Sequence, residues 1–152
     1  MAEPIQICTF ALEGSTFALP VAEIREVVRG LSVTPVPLAG GAVRGLVNLR
    51  GQIAMAVDLR RRFDLPARPS GQDEVNVVVD AGEGPVCLTV DDVGDVILVP
   101  ADSIERPPET LRPGVRELVR GICKRDDGLV LLLDTSRAIA IGALRREPDS
   151  KP

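Results

Sequence analysis

"RGLVNLRGQIAMAVDLRRRF", residues 44–63, decides how the rest of the chain reads. Two apolar runs, Leu46–Leu49 and Gln52–Val57, flank the dipeptide Arg50-Gly51. Apolar runs separated by a glycine-containing pair predict a β-hairpin. Asp58 stands where the second strand ends and "LRRRF" begins, which is where a helix N-cap belongs. A hairpin of this kind does not need an arginine at its tip. Arg50 therefore reads either as a solvated turn residue or as a guanidinium fork aimed at carboxylate or carbonyl acceptors on a partner.

Outward from this stretch the same grammar recurs. "IQICTFAL" (5–12), the turn "EGS" and "TFALPV" make a first hairpin; "VNVVVD", "AGEGP" and "VCLTV" make another; "RGICKRDDGLVLLLD" makes a last one. In "VAEIREVVRGL" the apolar Val21, Ile24, Val27, Val28 and Leu31 follow helical spacing, so a helix is expected over 21–31, ended by Gly30, with Glu23, Arg25, Glu26 and Arg29 outward. Residues 64–74, "DLPARPSGQDE", read as a linker. The halves superimpose in two registers. Arg44-Gly45 precede Asp58 as Arg120-Gly121 precede Asp134, and Val21, Ile24, Glu26 and Val27 fall on Val90, Val93, Asp95 and Val96. An internal duplication follows, each half carrying about five short strands, enough to close a small barrel and hide its edges. The expected fold is mainly β: two small five-stranded β-barrel lobes packed together, with short helices. One domain over 1–144 holds approximate halves 5–63 and 75–140, with exchange of strands between lobes left open, and 145–152 form a disordered tail.

Composition narrows the function. The chain of 152 residues has 14 Gly and 13 Pro, so turns abound, and with 2% aromatics the core must be built mostly from aliphatic side chains. A net charge of −4 argues against nucleic acid, which asks for a concentrated basic face. Arg60, Arg61 and Arg62 read as a solvated helix face. No segment has the roughly 20 apolar residues of a membrane span, and no signal peptide is evident. Cys8, Cys87 and Cys123 sit in apolar runs and read as buried thiols of a cytoplasmic protein. There is no His, which removes the commonest general base and the commonest zinc ligand. Asp91, Asp92 and Asp95 lack calcium-loop spacing and read as a loop after a strand. No serine has a nucleophile setting and no glycine run forms a phosphate loop. Neither a catalytic site nor a cofactor or metal site is expected, which leaves recognition.

The residues of the opening stretch closely resemble the central motif of the CheW family of bacterial chemotaxis adaptors. In that family a Gly precedes Asn-Leu-Arg-Gly and an Asp-Leu-Arg ends the hairpin; here these are Gly45, Asn48-Leu49-Arg50-Gly51 and Asp58-Leu59-Arg60. The resemblance extends over about residues 5–140, through "FALPVAEIREVV", "VTPVP" and "LTVDDVGDVILVPADSIERPP", and departs from the family at Met55, where a proline is preferred. It implies two five-stranded barrels and a non-enzymatic adaptor that couples chemoreceptors to the histidine kinase CheA at membrane-associated arrays, without inserting in the membrane. The receptor's helical tip would dock between the lobes on Arg50, Glu26, Ile24, Gly45, Asn48 and Val96. The kinase's regulatory domain would meet Val21 and Val33. Two other readings stand beside it: a related scaffold in surface motility or polar organisation, acting without that kinase coupling, and a small carboxylate-dependent hydrolase.

Overall fold

Ten strands form where the sequence alternates or runs apolar between turn residues. In the computed structural model, which describes residues 3–37, 40–80, 82 and 84–140, they are β1 Pro4–Leu12, β2 Ser15–Pro20, β3 Ile24–Arg29, β4 Val43–Leu49, β5 Gln52–Asp58, β6 Val75–Asp80, β7 Pro85–Val90, β8 Asp92–Pro100, β9 Val119–Arg125 and β10 Gly128–Leu133. Three single-turn helices accompany them: α1 Leu59–Arg62, α2 Pro113–Arg116 and α3 Thr135–Ala138. The expected tail, 145–152, and the end of the 1–144 domain lie outside the described residues.

The strands form two five-stranded sheets, ordered β8-β1-β2-β10-β9 and β3-β6-β7-β5-β4. These do not coincide with the halves 5–63 and 75–140, because β3 pairs with β6 and β8 pairs with β1. The exchange is reciprocal and obeys the duplication. Val27 lies opposite Val77 and Val96 opposite Cys8 in antiparallel pairs, and the parallel pair Met55–Val86 has its counterpart in Leu131–Phe17. The hairpin bulge between Val43 and Gly45 recurs between Leu132 and Leu133 on its twin.

The helix expected over 21–31 is a correction. Val21–Glu23 make one 3-10 turn and Ile24–Arg29 are strand β3, alternately half-buried and exposed. Two adjacent valines suit a pleated edge, and the ladder to β6 outweighs a helical spacing that five apolar residues satisfied equally well. Likewise Asp92 and Asp95 belong to β8 rather than to a loop.

The inner strands β6 and β7 are covered on both faces, which explains why they read as nearly continuous apolar runs. One face of each sheet packs on the other through a shared core that includes Leu19, Val57, Leu88 and Leu133. All three phenylalanines lie there: Phe17 has its ring centroid 6.1 Å from Phe10 and 5.0 Å from Phe63. The few aromatics thus sit at the join between lobes. The other face of each sheet curls around a smaller core, with Ile7, Val99 and Cys123 in one lobe and Val47, Ala56 and Val78 in the other. Burial pushes the Cys87 thiol up to about 11, so it stays protonated at neutral pH.

The curled sheets are not closed barrels. Among the described residues no ladder joins β3 to β4 or β8 to β9; each seam carries one two-bond bridge, Thr34 with Leu46 and Glu105 with Ile122. Pro35 and Pro107 follow these bridges closely, and a residue without an N–H cannot extend a ladder. The bridges press the chain onto Gly45 and Gly121. A Cβ at Gly45 would lie 2.1 Å from the Thr34 carbonyl oxygen, and one at Gly121 2.3 Å from Ile104.

A buried ionic cluster fastens one end of the second sheet to the first. Arg60 donates from Nε and Nη2 to both oxygens of Asp91 at 2.8 and 2.6 Å, Arg68 Nε donates to Asp91 at 3.0 Å, and the Glu13 N–H donates at 2.8 Å. Asp91 sits where the chain passes from β7 in one sheet to β8 in the other, and Glu13 is in the β1–β2 turn. This revises two expectations. Arg60 is buried, Arg62 is half-buried and donates to the Arg137 carbonyl, and only Arg61 fits a solvated helix face. Segment 64–74 is no free linker, because Arg68 is drawn into the cluster and Glu74 pairs with Arg44 at 2.6 Å. The N-cap expectation holds: Asp58 accepts from the Arg60 N–H at 2.9 Å.

Two outcomes follow from this packing. Gly45→Ala should destabilise the protein by about 3 kcal/mol through backbone clash and positive φ, whereas Gly41→Ala, with open space around it, should be near neutral in denaturant unfolding. Desolvation raises the Asp91 pKa, but hydrogen bonds from Arg60, Glu13 and Arg68 bring it on balance below the ordinary value. Its stabilisation is therefore complete above the unfolded carboxylate pKa of about 4 and is lost as pH falls through the lower folded value. Urea midpoints measured from pH 7 to 3 should drop below about pH 4, and Asp91→Asn should lose about 3 kcal/mol at pH 7 and show a smaller acid slope.

Candidate functional site

The hairpin β4–β5 pairs Leu49 with Gln52, leaving Arg50-Gly51 as a two-residue loop. Both loop residues have positive φ, +54° and +86°, which matches the right-handed twist of the strands but strains a non-glycine residue at the first position. Asn48 offsets this locally: its Oδ1 accepts from the Gly51 N–H at 2.8 Å. Asn48 is therefore a turn-holding residue, exposed but already engaged.

With the turn fixed, Arg50 reaches across the open seam to β3. Its Nε and Nη2 donate to both oxygens of Glu26, at 3.2 and 2.8 Å. The Arg50 side chain is 77% exposed and that of Glu26 23%, so the pair lies at the surface with the carboxylate tucked beneath the guanidinium. The hydrogen bonds from Arg50 hold the Glu26 carboxyl below its usual range despite some desolvation. Arg50 is thus more than a solvated turn residue: it clasps the seam of its own lobe while keeping most of its surface free. The other lobe has no such clasp, for the twin of Glu26 is Asp95 and the hairpin tip there is Asp126-Asp127.

One face of the hairpin is core and the other is not. Val47, Leu49, Ala54 and Ala56 are buried, while Leu46 and Ile53 are 39% and 65% exposed. Leu46, Ile53 and the half-buried Met55 form an apolar wall of a groove of about 1380 Å³ whose opposite wall is α3 of the other lobe. Ile24 and Glu23 lie between them, and Glu23 accepts a hydrogen bond from the Thr135 hydroxyl, joining the walls.

Of the six residues expected to meet a receptor, Ile24 alone lines this groove. Arg50, Glu26 and Asn48 come together around the neighbouring hairpin tip. Gly45 is buried under Thr34 and has no side chain to offer. Val96 is 54% exposed on the edge strand β8, in the other sheet and away from the groove lining. Val21 and Val33 are both half-buried, Val33 against the inner core of the second lobe. Leu46 and Ile53 were missed, though alternation along "GLVNL" and "QIAMAV" places them opposite the buried set.

Comparison with known proteins agrees with the motif. The model of the CheW-like domain matches residues 6–141. A chemotaxis protein CheW of Helicobacter pylori is 30% identical over 131 residues, covering 86% of this chain and 79% of the relative. One from Treponema pallidum is 24% identical over 148 residues, covering 95% and 87%. The crystal structure of the scaffolding protein TtCheW from Thermoanaerobacter tengcongensis superimposes with a TM-score of 0.78 at 31% identity, covering 86% of this chain and 89% of that one.

The clasp can be tested apart from binding. Glu26→Gln should leave the thermal midpoint within about 2 °C of the wild type, as expected for a surface pair. The Arg50 Nε–H resonance in a proton–nitrogen correlation spectrum should shift toward its free position.

Proposed function

The chain belongs to the CheW-like domain family of non-enzymatic chemotaxis adaptors, and from that premise we propose that it joins a chemoreceptor's cytoplasmic tip to a CheA-type histidine kinase. The receptor tip docks along the groove between the β4–β5 hairpin and α3. The observation that carries this reading is the apolar wall of Leu46, Ile53 and Met55 on a hairpin whose tip is fixed by Asn48 and clasped by Arg50 and Glu26. A helix laid in such a groove buries an apolar stripe, and the exposed guanidinium at the rim takes a polar anchor. Because the hairpin is rigid before docking, little ordering entropy opposes the contact.

The kinase-facing side is assigned to the segment around Val21 and Val33, where Val36 is the more exposed apolar neighbour. The adaptor works in the cytoplasm and reaches the membrane through the receptor; no helix among the described residues is long and apolar enough to cross a bilayer. Whether the array drives flagella or another motility lies with the receptor and kinase rather than with this surface.

Calorimetric titration against a soluble receptor-tip fragment from the same genome tests the docking surface. Ile53→Asp should weaken binding by tenfold or more, roughly the loss of one buried side chain with a charge put in its place. Arg50→Glu, which sets like charges against Glu26, should do the same, with circular dichroism unchanged for both. Wild-type affinity in both variants would place the receptor elsewhere.

A further inference from the structure

The duplication puts the same arginine in two different circumstances. Arg44 and Arg120 occupy equivalent places, each before the glycine that accepts the seam bridge. Arg44 is neutralised inside the protein: its Nη1 lies 2.6 Å from Glu74 and donates to Thr89 at 3.3 Å. Arg120 is exposed at the start of β9 and lines the groove, with no ion pair or side-chain hydrogen bond among the described residues.

Every other charged residue lining the groove is engaged. Arg25 and Asp80 are 3.5 Å apart, Glu23 accepts from Thr135, and Asp134 caps α3 while lying 3.8 Å from Arg137. A second cleft of about 620 Å³ meets the groove at Arg120 and Asp134 and is rich in arginine. Arg106 there also lacks an ion pair among the described residues, and Arg116 has Glu109 only at 4.0 Å. Glu117 lines this cleft too and offsets part of the charge, yet the arginines outnumber the carboxylates.

We propose that Arg120, seconded by Arg106, is the carboxylate-recognition point of the groove, taking an Asp or Glu on the docked helix. This deepens the docking reading above and rests on it. The occupant is a helix with an apolar stripe against Leu46, Ile53 and Met55 and an acidic residue further along, where the groove opens into the second cleft. A helix is about 10 Å across, so one apolar face and one flanking carboxylate can be engaged together. An unpaired guanidinium at the groove rim favours a carboxylate because two parallel N–H donors match its two oxygens.

The test is calorimetric titration of the receptor-tip fragment into wild type, Arg120→Ala and Arg125→Ala, at low salt and at about 0.3 M salt. Arg125, also at the surface on β9, serves as a control that removes the same charge at the hairpin tip. Arg120→Ala should weaken binding about five- to tenfold and flatten its salt dependence, while Arg125→Ala should change affinity less than about twofold. A tip fragment with its acidic residues changed to Gln should bind wild type and Arg120→Ala alike. Equal affinity and salt slope for wild type and Arg120→Ala, with Ile53→Asp still defective, would overturn the recognition point and leave the docking surface standing. Equal weakening by both arginine variants would overturn it as well. Absence of wild-type binding would remove the docking reading and this inference together.

Discussion

Neither half of the chain can finish a sheet with its own strands, because β3 leaves the first half to pair with β6 and β8 leaves the second to pair with β1. Each lobe therefore takes strands from both halves of the sequence, and the shared core around the three phenylalanines assembles only when both lobes do. Two small lobes of this size would be marginal alone, since a short chain buries too small a fraction of its surface. Reciprocal exchange removes that difficulty by making one cooperative unit of two. It also fixes the groove, whose walls come from different sheets and whose geometry follows from how the sheets are packed.

The duplicated template is closest to symmetric in its backbone and least so in its polar interior. The buried pair Asn76–Thr89 corresponds in register to the pair Ile7–Pro20 of the other lobe. Asp91 corresponds to Ala22, and Arg60 to Ser136. One lobe thus carries an internal ionic cluster where the other carries apolar or small residues. Burying charges adds little net stability over well-packed apolar groups, since desolvation offsets most of the attraction. Here the charges sit at the crossover between sheets and hold α1, segment 64–74 and the β1–β2 turn to one point.

The hairpin β4–β5 shows how a structural motif becomes a surface. Its inward residues are small or branched and fill the curl of the second sheet, so its outward residues are held without freedom of their own. Glycine at position 45 admits the seam bridge, Asn48 fixes the turn, and Arg50 closes the seam from outside. Each of these motif residues has a structural task. The proposed docking face is the one they stabilise, with the exposed part of the Arg50 guanidinium at its rim.

Much of this was written in local sequence. Hairpins follow from period-two alternation and glycine-containing turns, the N-cap from Asp58, and the duplication from two agreeing registers, since all rest on neighbours in the chain. The family motif around Asn48–Gly51 was legible for the same reason, and the outward Leu46 and Ile53 were readable from the alternation that buried their neighbours. What local patterns could not decide was β3, where helical and extended spacing were both satisfied and the ladder to β6, some fifty residues away, made the choice. Nor could they reveal that Arg60 and Arg68 are buried, that Arg50 clasps Glu26, or that Arg44 is neutralised and Arg120 is not. A charge's fate depends on which opposite charge the fold brings within hydrogen-bond distance, and only tertiary structure decides that.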